Sequence, residues 1–382
     1  MKKKIKILRI INTLNPQYGG PTNTIIQNSI QLIKKGFNVD ILTNDPINSN
    51  YLKVNKKVKI INLGPAIGNF GFNLKQIIWL YKNKNNYDKF ILHGLWDFKN
   101  ILARLFLQKK YFVFTHGQLD PYFSKEYLKM LKKKIYWFLF EKRNLLKANS
   151  LLLTSENEKK SLSNTFVNTN GIKKTVVNYG ITFPKYDSKK GLILFKKKFK
   201  KIENKPFLIY LGRFHKKKGC EILLKAAEKI IRNNKNIYFL LAGPNNTYKD
   251  VLKKIASKLL INNKIIWSDA ISGNLKWATL KKSQGMVLPS HGENFGVSLI
   301  EALLMKKPVI TTNKVNIYNK IKIFKAGVIT KNNVNSFAAG INKYLTLSNN
   351  QKKKMKQQAY KCYRCYFNLQ NLDSYVSILK ND

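Results

Sequence analysis

Acid is the scarce ingredient of this 382-residue chain: 19 residues are Asp or Glu against 71 Lys or Arg, a formal charge of +52, and four are His. Arginine is also rare, with six positions, so lysine is the default cation. Against that background a retained Arg points to a need for planar, bidentate geometry, and each acid or imidazole carries more information than usual. Cysteine is sparse (Cys220, Cys362, Cys365). An odd count argues against a disulfide framework and suits a reducing compartment. The one CxxC, Cys362 to Cys365, has no second pair to complete a zinc site and no strand before it to make a redox motif. Neither a G-x-x-x-x-G-K-[ST] loop nor a G-x-G-x-x-G after a strand occurs. No apolar run approaches the roughly 20 residues that span a bilayer. Lys2–Lys4 could open a secretory signal, but Ile5–Ile11 is short and interrupted by Arg9. The expected location is the cytoplasm, soluble or peripheral on the inner face of the cytoplasmic membrane.

What the chain does hold is core material, 44% hydrophobic and 12% aromatic, and enough length for two domains of about 100–200 residues each. The basic excess has two readings. It can mark a nucleic-acid or anionic membrane surface, or compositional drift, since Lys, Asn and Ile are abundant throughout. We expect both drift and an anionic membrane surface to contribute. No recognisable nucleic-acid module is present.

Continuous apolar runs, the mark of buried parallel strands, occur at Ile5–Ile11, Val39–Thr43, Lys89–His93, Tyr111–Thr115 and Ser150–Thr154. They recur at Phe207–Leu211, Ile237–Ala242, Gly285–Pro289 and Pro308–Thr311. Helical patterns fall between them, including Tyr127–Lys147, Gly219–Asn233, Asp250–Leu260 and Val297–Met305. These two βα series predict an α/β protein of two Rossmann-like domains, 1–190 and 203–350, joined by a Lys-rich stretch at about 185–203. The helical tail, 355–382, is expected to pack back on the first domain. In such sheets ligands bind beyond the carboxyl ends of strands, where helix N-termini offer N–H groups to anions. His93, His116, His215 and His291 all fall after predicted strands.

The sharpest segment is Pro289-Ser290-His291-Gly292-Glu293-Asn294-Phe295-Gly296, continuing to Glu301-Ala302. Glu293 would lie in the loop before a helix and Glu301 in its second turn, so both can face one crevice. A strand–loop–helix turn with solvated carboxylates has the same pattern. A second segment, Leu211 to Gly219, sets Arg213 and Lys218 between a strand end and a helix start, where two cations can neutralise a diphosphate. An ordinary basic turn would look similar, above all at Lys216 and Lys217.

Pro289 to Ala302 resembles the E-x7-E signature of family 4 glycosyltransferases, P-S-x-x-E-x-F-G-x-x-x-x-E-A. The resemblance implies a GT-B fold, with two Rossmann-like domains facing each other across a cleft. It implies a retaining, metal-independent transferase moving a sugar from a nucleotide-sugar donor to a glycan or a polyprenol- or lipid-linked acceptor. Such enzymes serve cell-surface polysaccharide synthesis: O-antigen, capsule, exopolysaccharide, lipopolysaccharide. Glu293 would then meet the donor sugar, the backbone of Asn294, Phe295 and Gly296 would line sugar and phosphate, and Glu301 would accept from the ribose. Arg213 and Lys218 would hold the diphosphate, with Gly243 on the nucleotide side. In the first domain Gly19 and Gly20 resemble the family's glycine-rich loop, and His116 its histidine near the reacting centre. Asp120 and His93 are acceptor-side candidates. Asn178-Tyr179-Gly180 departs from the Pro-Asn-Gly often found there, which puts that element's role in doubt.

No metal and no cofactor are expected. No two Asp are separated by one residue, so the D-x-D that holds a metal-bound diphosphate is missing. A phosphorylase or epimerase on the same fold is a rival, though no pyridoxal-bearing Lys is identifiable. A nucleic-acid or anionic-surface binding protein on a Rossmann-like scaffold is the alternative prompted by the pI of about 10.1.

Overall fold

Two parallel sheets organise the chain, one in each of two units: Met1–Gly180 with Leu369–Asp382, and Ile181–Asn368. The computed structural model describes residues 4–15, 20–49, 58–122, 127–183, 185–233 and 236–381.

The first unit contains seven strands: β1 (Lys6–Ile11), β2 (Asn38–Thr43), β3 (Lys59–Asn62), β4 (Lys89–His93), β5 (Tyr111–Phe114), β6 (Ser150–Leu153) and β7 (Lys174–Val176). Their order is β3-β2-β1-β4-β5-β6-β7 and the pairings are parallel. A parallel sheet covered on both faces needs strands apolar on both faces, and β5 and β6 are buried at every residue. The connecting helices are α1 (Gly20–Lys34), α2 (Leu74–Asn83), α3 (Phe98–Phe106), α4 (Tyr127–Tyr136), α5 (Lys142–Leu146) and α6 (Glu156–Ser161). The helix predicted over 127–147 is interrupted. A π-helical turn, Trp137–Glu141, separates α4 from α5, and such turns widen a helix by one residue. It buries Trp137 and Glu141, while Leu131, Ile135, Phe138, Leu139 and Leu146 remain exposed.

The second unit repeats the plan. Its strands are β8 (Phe207–Leu211), β9 (Tyr238–Ala242), β10 (Ile265–Ser268), β11 (Gly285–Leu288), β12 (Val309–Thr312) and β13 (Gly327–Thr330), ordered β10-β9-β8-β11-β12-β13. Its helices are α7 (Ser188–Lys198), α8 (Cys220–Arg232), α9 (Thr247–Lys258), α10 (Gly273–Lys282), α11 (Val297–Leu304), α12 (Tyr318–Ile323), α13 (Val334–Leu345) and α14 (Asn349–Cys362). β8 and β9 are buried throughout. The last helix, α15 (Asp373–Asn381), returns to the first unit.

Two boundaries differ from the sequence reading. The stretch at 185–203 is no linker: it holds α7, which packs on α10. Gly191 explains the contact, because a Cβ there would stand 2.6 Å from the Asn274 carbonyl and 3.0 Å from the Ala278 Cβ. Asp187 caps α7, and its own N–H donates to Asn274 Oδ1 at 3.0 Å. The second unit therefore begins at Ile181. The tail also divides. α14 stays with the second unit, where Cys362, Tyr363 and Phe367 are buried and Tyr363 Oη donates to the Ile181 carbonyl at 3.0 Å. Only residues 369–382 join the first unit, burying Leu369, Leu372, Tyr375 and Leu379. Asn178 fastens them: its N–H donates to Ser374 Oγ at 2.8 Å.

Candidate functional site

In the second sheet the chain leaves β8 for β9 on one side, and β11 leads to β12 on the other. Beyond the carboxyl ends of such a strand pair the flanking loops part and leave a crevice. The two loops singled out in the sequence, 212–219 and 289–296, both emerge there. Gly219 makes their contact possible. It sits at φ +68°, and a Cβ would lie 2.0 Å from the Pro289 carbonyl. The Lys217 carbonyl accepts from the His291 N–H at 2.8 Å and from Ser290 Oγ at 2.9 Å. Docked in this way, the turn presents the Lys218 ammonium to the Glu293 carboxylate, in an ion pair that is also a hydrogen bond.

Glu293 is held from behind by its backbone. Its N–H donates to the Lys314 carbonyl at 3.1 Å, and its carbonyl accepts from the Asn316 N–H at 2.9 Å. Burial alone would push the Glu293 carboxyl up. The Lys218 charge and hydrogen bond more than offset this and leave it below the ordinary carboxylate value, so it is ionised at neutral pH. Gly296, at φ +64°, ends the loop as N-cap of α11, a conformation that costs other L-residues roughly 1 kcal/mol or more. Glu301 follows in the second turn of α11 and accepts from Lys276 Nζ at 2.6 Å. Lys276, on α10, escaped the sequence reading because it is one lysine among many.

Asn294 Oδ1 accepts from Asn316 Nδ2 at 3.2 Å, and Phe295 is buried with its ring 6.0 Å from that of Phe367. Both side chains are engaged within the second unit. Arg213 is exposed after β8, and its carbonyl accepts from Tyr210 Oη at 2.7 Å. Its guanidinium joins neither carboxylate in an ion pair among the described residues. Gly243, after β9, lies so close to Gly212 that a Cβ would stand 2.1 Å from the Gly212 carbonyl. His215 caps its own turn, accepting from the Lys217 N–H at 3.1 Å, and His291 Nδ1 meets Asn332 Nδ2 at 2.7 Å.

The first unit gathers its own polar cluster at the same topological position, between β1 and β4. Arg9 is fully buried on β1, and its Nε donates to His93 Nε2 at 3.1 Å. His93 Nδ1 meets His116 Nε2 at 2.9 Å. His116 stands just past β5 at φ +48°, strained for a residue with a Cβ. His93 is 3% exposed and stacks against the partly buried ring of His116, centroids 5.1 Å apart. Burial, then the neighbouring Arg9 charge, holds both imidazoles below their ordinary value, His116 at about 3. Asp120 turns back on its own loop, its Oδ1 accepting from the Tyr122 N–H at 2.9 Å. Gly20 is the first residue of α1, and Gly19 lies outside the described residues.

Residues 193–362 match the sequence profile described as "Glycosyl transferases group 1". Among curated proteins, the chain is 25% identical over 215 residues to the capsular polysaccharide biosynthesis glycosyltransferase CapM of Staphylococcus aureus. That match covers 54% of this chain and 55% of CapM, so the chain spans about half the length of this relative. Among solved structures, a sucrose-phosphate synthase from Thermosynechococcus elongatus superposes with a TM-score of 0.77 at 18% identity, over 99% of this chain and 98% of that one. Anabaena HepE in complex with UDP and glucose gives 0.75 at 13% identity, over 98% of each. The Lys218–Glu293 pair, Gly296 and Glu301 all fall within the matched stretch. Residues 193–362 are thus similar to the group 1 glycosyl transferases, and the fold of the chain is that of the two-sheet GT-B glycosyltransferases.

Proposed function

We propose that this protein transfers a sugar from a nucleotide-sugar donor, with retention of configuration and without a metal ion, to a glycan or lipid-linked acceptor in cell-surface polysaccharide synthesis. The observation that carries the reading is the Lys218–Glu293 pair at the strand crossover of a group 1 domain. It sets a cation and a carboxylate side by side, where a sugar diphosphate needs one of each. HepE, of the same fold, is described in complex with UDP and glucose, and CapM is a capsular polysaccharide enzyme; both support the choice of substrate class.

The donor diphosphate would take Lys218 and Arg213 as counter-charges, together with the first-turn N–H groups of α11. Two fixed cations supply the leaving-group stabilisation that a metal provides in other enzymes. Lys218 would turn partly from Glu293 to the phosphate, releasing the carboxylate to accept from sugar hydroxyls. Glu301 would accept from the ribose. The bond from the anomeric carbon to the phosphate oxygen breaks, and the acceptor oxygen forms its bond on the same face. The acceptor proton passes to the leaving phosphate oxygen.

A peripheral position on the cytoplasmic face of an anionic membrane fits the exposed Leu131, Ile135, Phe138 and Leu139, interleaved with Lys132 and Lys134. Apolar side chains among lysines suit the headgroup region, and such a surface would meet a lipid-linked acceptor. No helix among the described residues is long and apolar enough to cross a membrane.

Thermal-shift screening against UDP, GDP, ADP and their sugars identifies the donor, and product analysis with candidate acceptors then measures transfer. Glu293→Ala and Arg213→Ala should each lower turnover by roughly 10²-fold or more, the scale of losing one preorganised charge. Normal transfer by either variant refutes that residue's role. Absence of any nucleotide or nucleotide-sugar stabilisation refutes the assignment as a whole.

A further inference from the structure

Arg9 poses a separate question. It is a guanidinium at zero exposure with no ion pair among the described residues. Such a group is costly to bury without a counter-charge. Its Nη1 is held by the Ile25 carbonyl at 3.4 Å, Asn28 Oδ1 at 3.4 Å and Ser29 Oγ at 3.2 Å, all on α1. Nη2 has no hydrogen-bond partner among the described residues, and Nε is aimed at His93.

Hydrogen-bond polarity then propagates through the cluster. A guanidinium can only donate, so the Nε2 atom of His93 must accept. His93 is therefore neutral, with its proton on Nδ1. That Nδ1–H faces His116 Nε2 at 2.9 Å, so His116 Nε2 must accept as well. His116 is left neutral and protonated on Nδ1, the one ring nitrogen with no partner among the described residues. Neither of its nitrogens can take a proton: one lone pair is engaged and the other site is already filled. Lys99, itself paired with Asp97, adds a further positive charge near both rings, and among the described residues no carboxylate is hydrogen-bonded to the pair.

We infer that Arg9 acts through His93 as a positioning residue, locking His116 into the Nδ1–H tautomer so that it serves as a hydrogen-bond donor to a substrate oxygen and never as a base. The oxygen's identity, a hydroxyl of the donor sugar or of the acceptor, rests on the transferase reading above; the tautomer does not.

The test is made on the full-length protein labelled with 15N-histidine, by long-range 1H–15N correlation at pH 7. Both His93 and His116 are expected to show a protonated Nδ1 and a bare Nε2, unchanged down to about pH 5, because the unperturbed value of 6.5 is depressed in both. Arg9→Met should release His116 into a mixture of tautomers, and Arg9→Lys, still a pure donor, should restore the lock at least in part. If Arg9→Met does not fold, His93→Phe supplies the same readout, since it keeps a flat ring beside Phe114, now at 5.5 Å from His93, but removes the donor to His116. In the transfer assay Arg9→Met and His93→Phe, where folded, should lose on the order of tenfold in kcat with little change in KM, as expected when a transition-state donor is disordered. A wild-type His116 protonated on Nε2, or an Arg9→Met or His93→Phe protein that leaves its tautomer unchanged, overturns the inference. A protein that shows the expected tautomers but transfers no sugar overturns the transferase reading and leaves the lock standing.

Discussion

At the scale of single residues, the chain assigns opposite electrostatic settings to its two polar centres. Glu293 is kept ionised by Lys218 against the effect of burial. Removing that cation leaves burial opposed only by the weaker effects of the Lys217 charge and the Gly296 backbone hydrogen bond, so in Lys218→Ala the Glu293 carboxyl should rise. The acidic limb of the residual kcat/KM profile then moves to higher pH, which a pH–rate series on the variant would show. The imidazoles of His93 and His116 behave in the reverse sense. Burial and Arg9 keep them neutral in the folded chain, so below pH 6.5, and for His116 down to about 3, the unfolded chain binds more protons than the folded one. Stability is present above pH 6.5 and is lost as pH falls, at up to about 1.4 kcal/mol per pH unit for each imidazole. Urea unfolding between pH 7 and 5 should show this slope, and His93→Phe should flatten it. How legible these residues are in the sequence differs for a physical reason. Glu293, Glu301, Arg213 and Lys218 stand in loops with recognisable spacing. Arg9 lies inside an apolar strand, where it reads only as an interruption; its meaning depends on partners 84 and 20 residues away.

At the scale of elements, the long buried strands were readable to within a residue or two, because continuous apolar runs bounded by Gly and Pro have few other uses. The short edge strands β3, β7, β10 and β13 were not, since three or four residues carry too little pattern and are only partly buried. α7 was missed for another reason: its Lys-rich surface resembles a linker, and its one decisive residue, Gly191, makes sense only against α10. The meeting of the two site loops is equally a matter of fit. Gly219→Ala should therefore cost more than its backbone angle alone, because the Pro289 carbonyl blocks the new methyl group. Gly36→Ala is the control, with φ +95° and open space around it. The control should lose roughly 1 kcal/mol, and Gly219→Ala should lose clearly more and also lower turnover. Paired thermal melts and kinetics on both variants would decide it.

At the scale of the whole molecule, the two βα series and their Rossmann-like character follow from the alternation of strand and helix patterns. The places where the chain passes from one unit to the other do not. They fall at Gly180 and Asn368, in segments whose composition resembles their surroundings. The last stretch nevertheless carries Leu369, Leu372, Tyr375 and Leu379, each fully buried. At about 1.5–3 kcal/mol per large apolar side chain, they contribute an amount comparable to the entire stability of a domain, roughly 5–15 kcal/mol. Truncation after Asn368 should leave the second unit folded and unfold or severely weaken the first. Limited proteolysis with mass mapping would show cleavage confined to residues before Gly180.

That arrangement also orders events during synthesis. The ribosome delivers residues 181–368 before it delivers 369–382, so the unit translated first is the one that must wait. Its nascent sheet lacks four core side chains until the last segment emerges, and a chaperone that shields apolar surface would find its longest-lived client in the amino-terminal half.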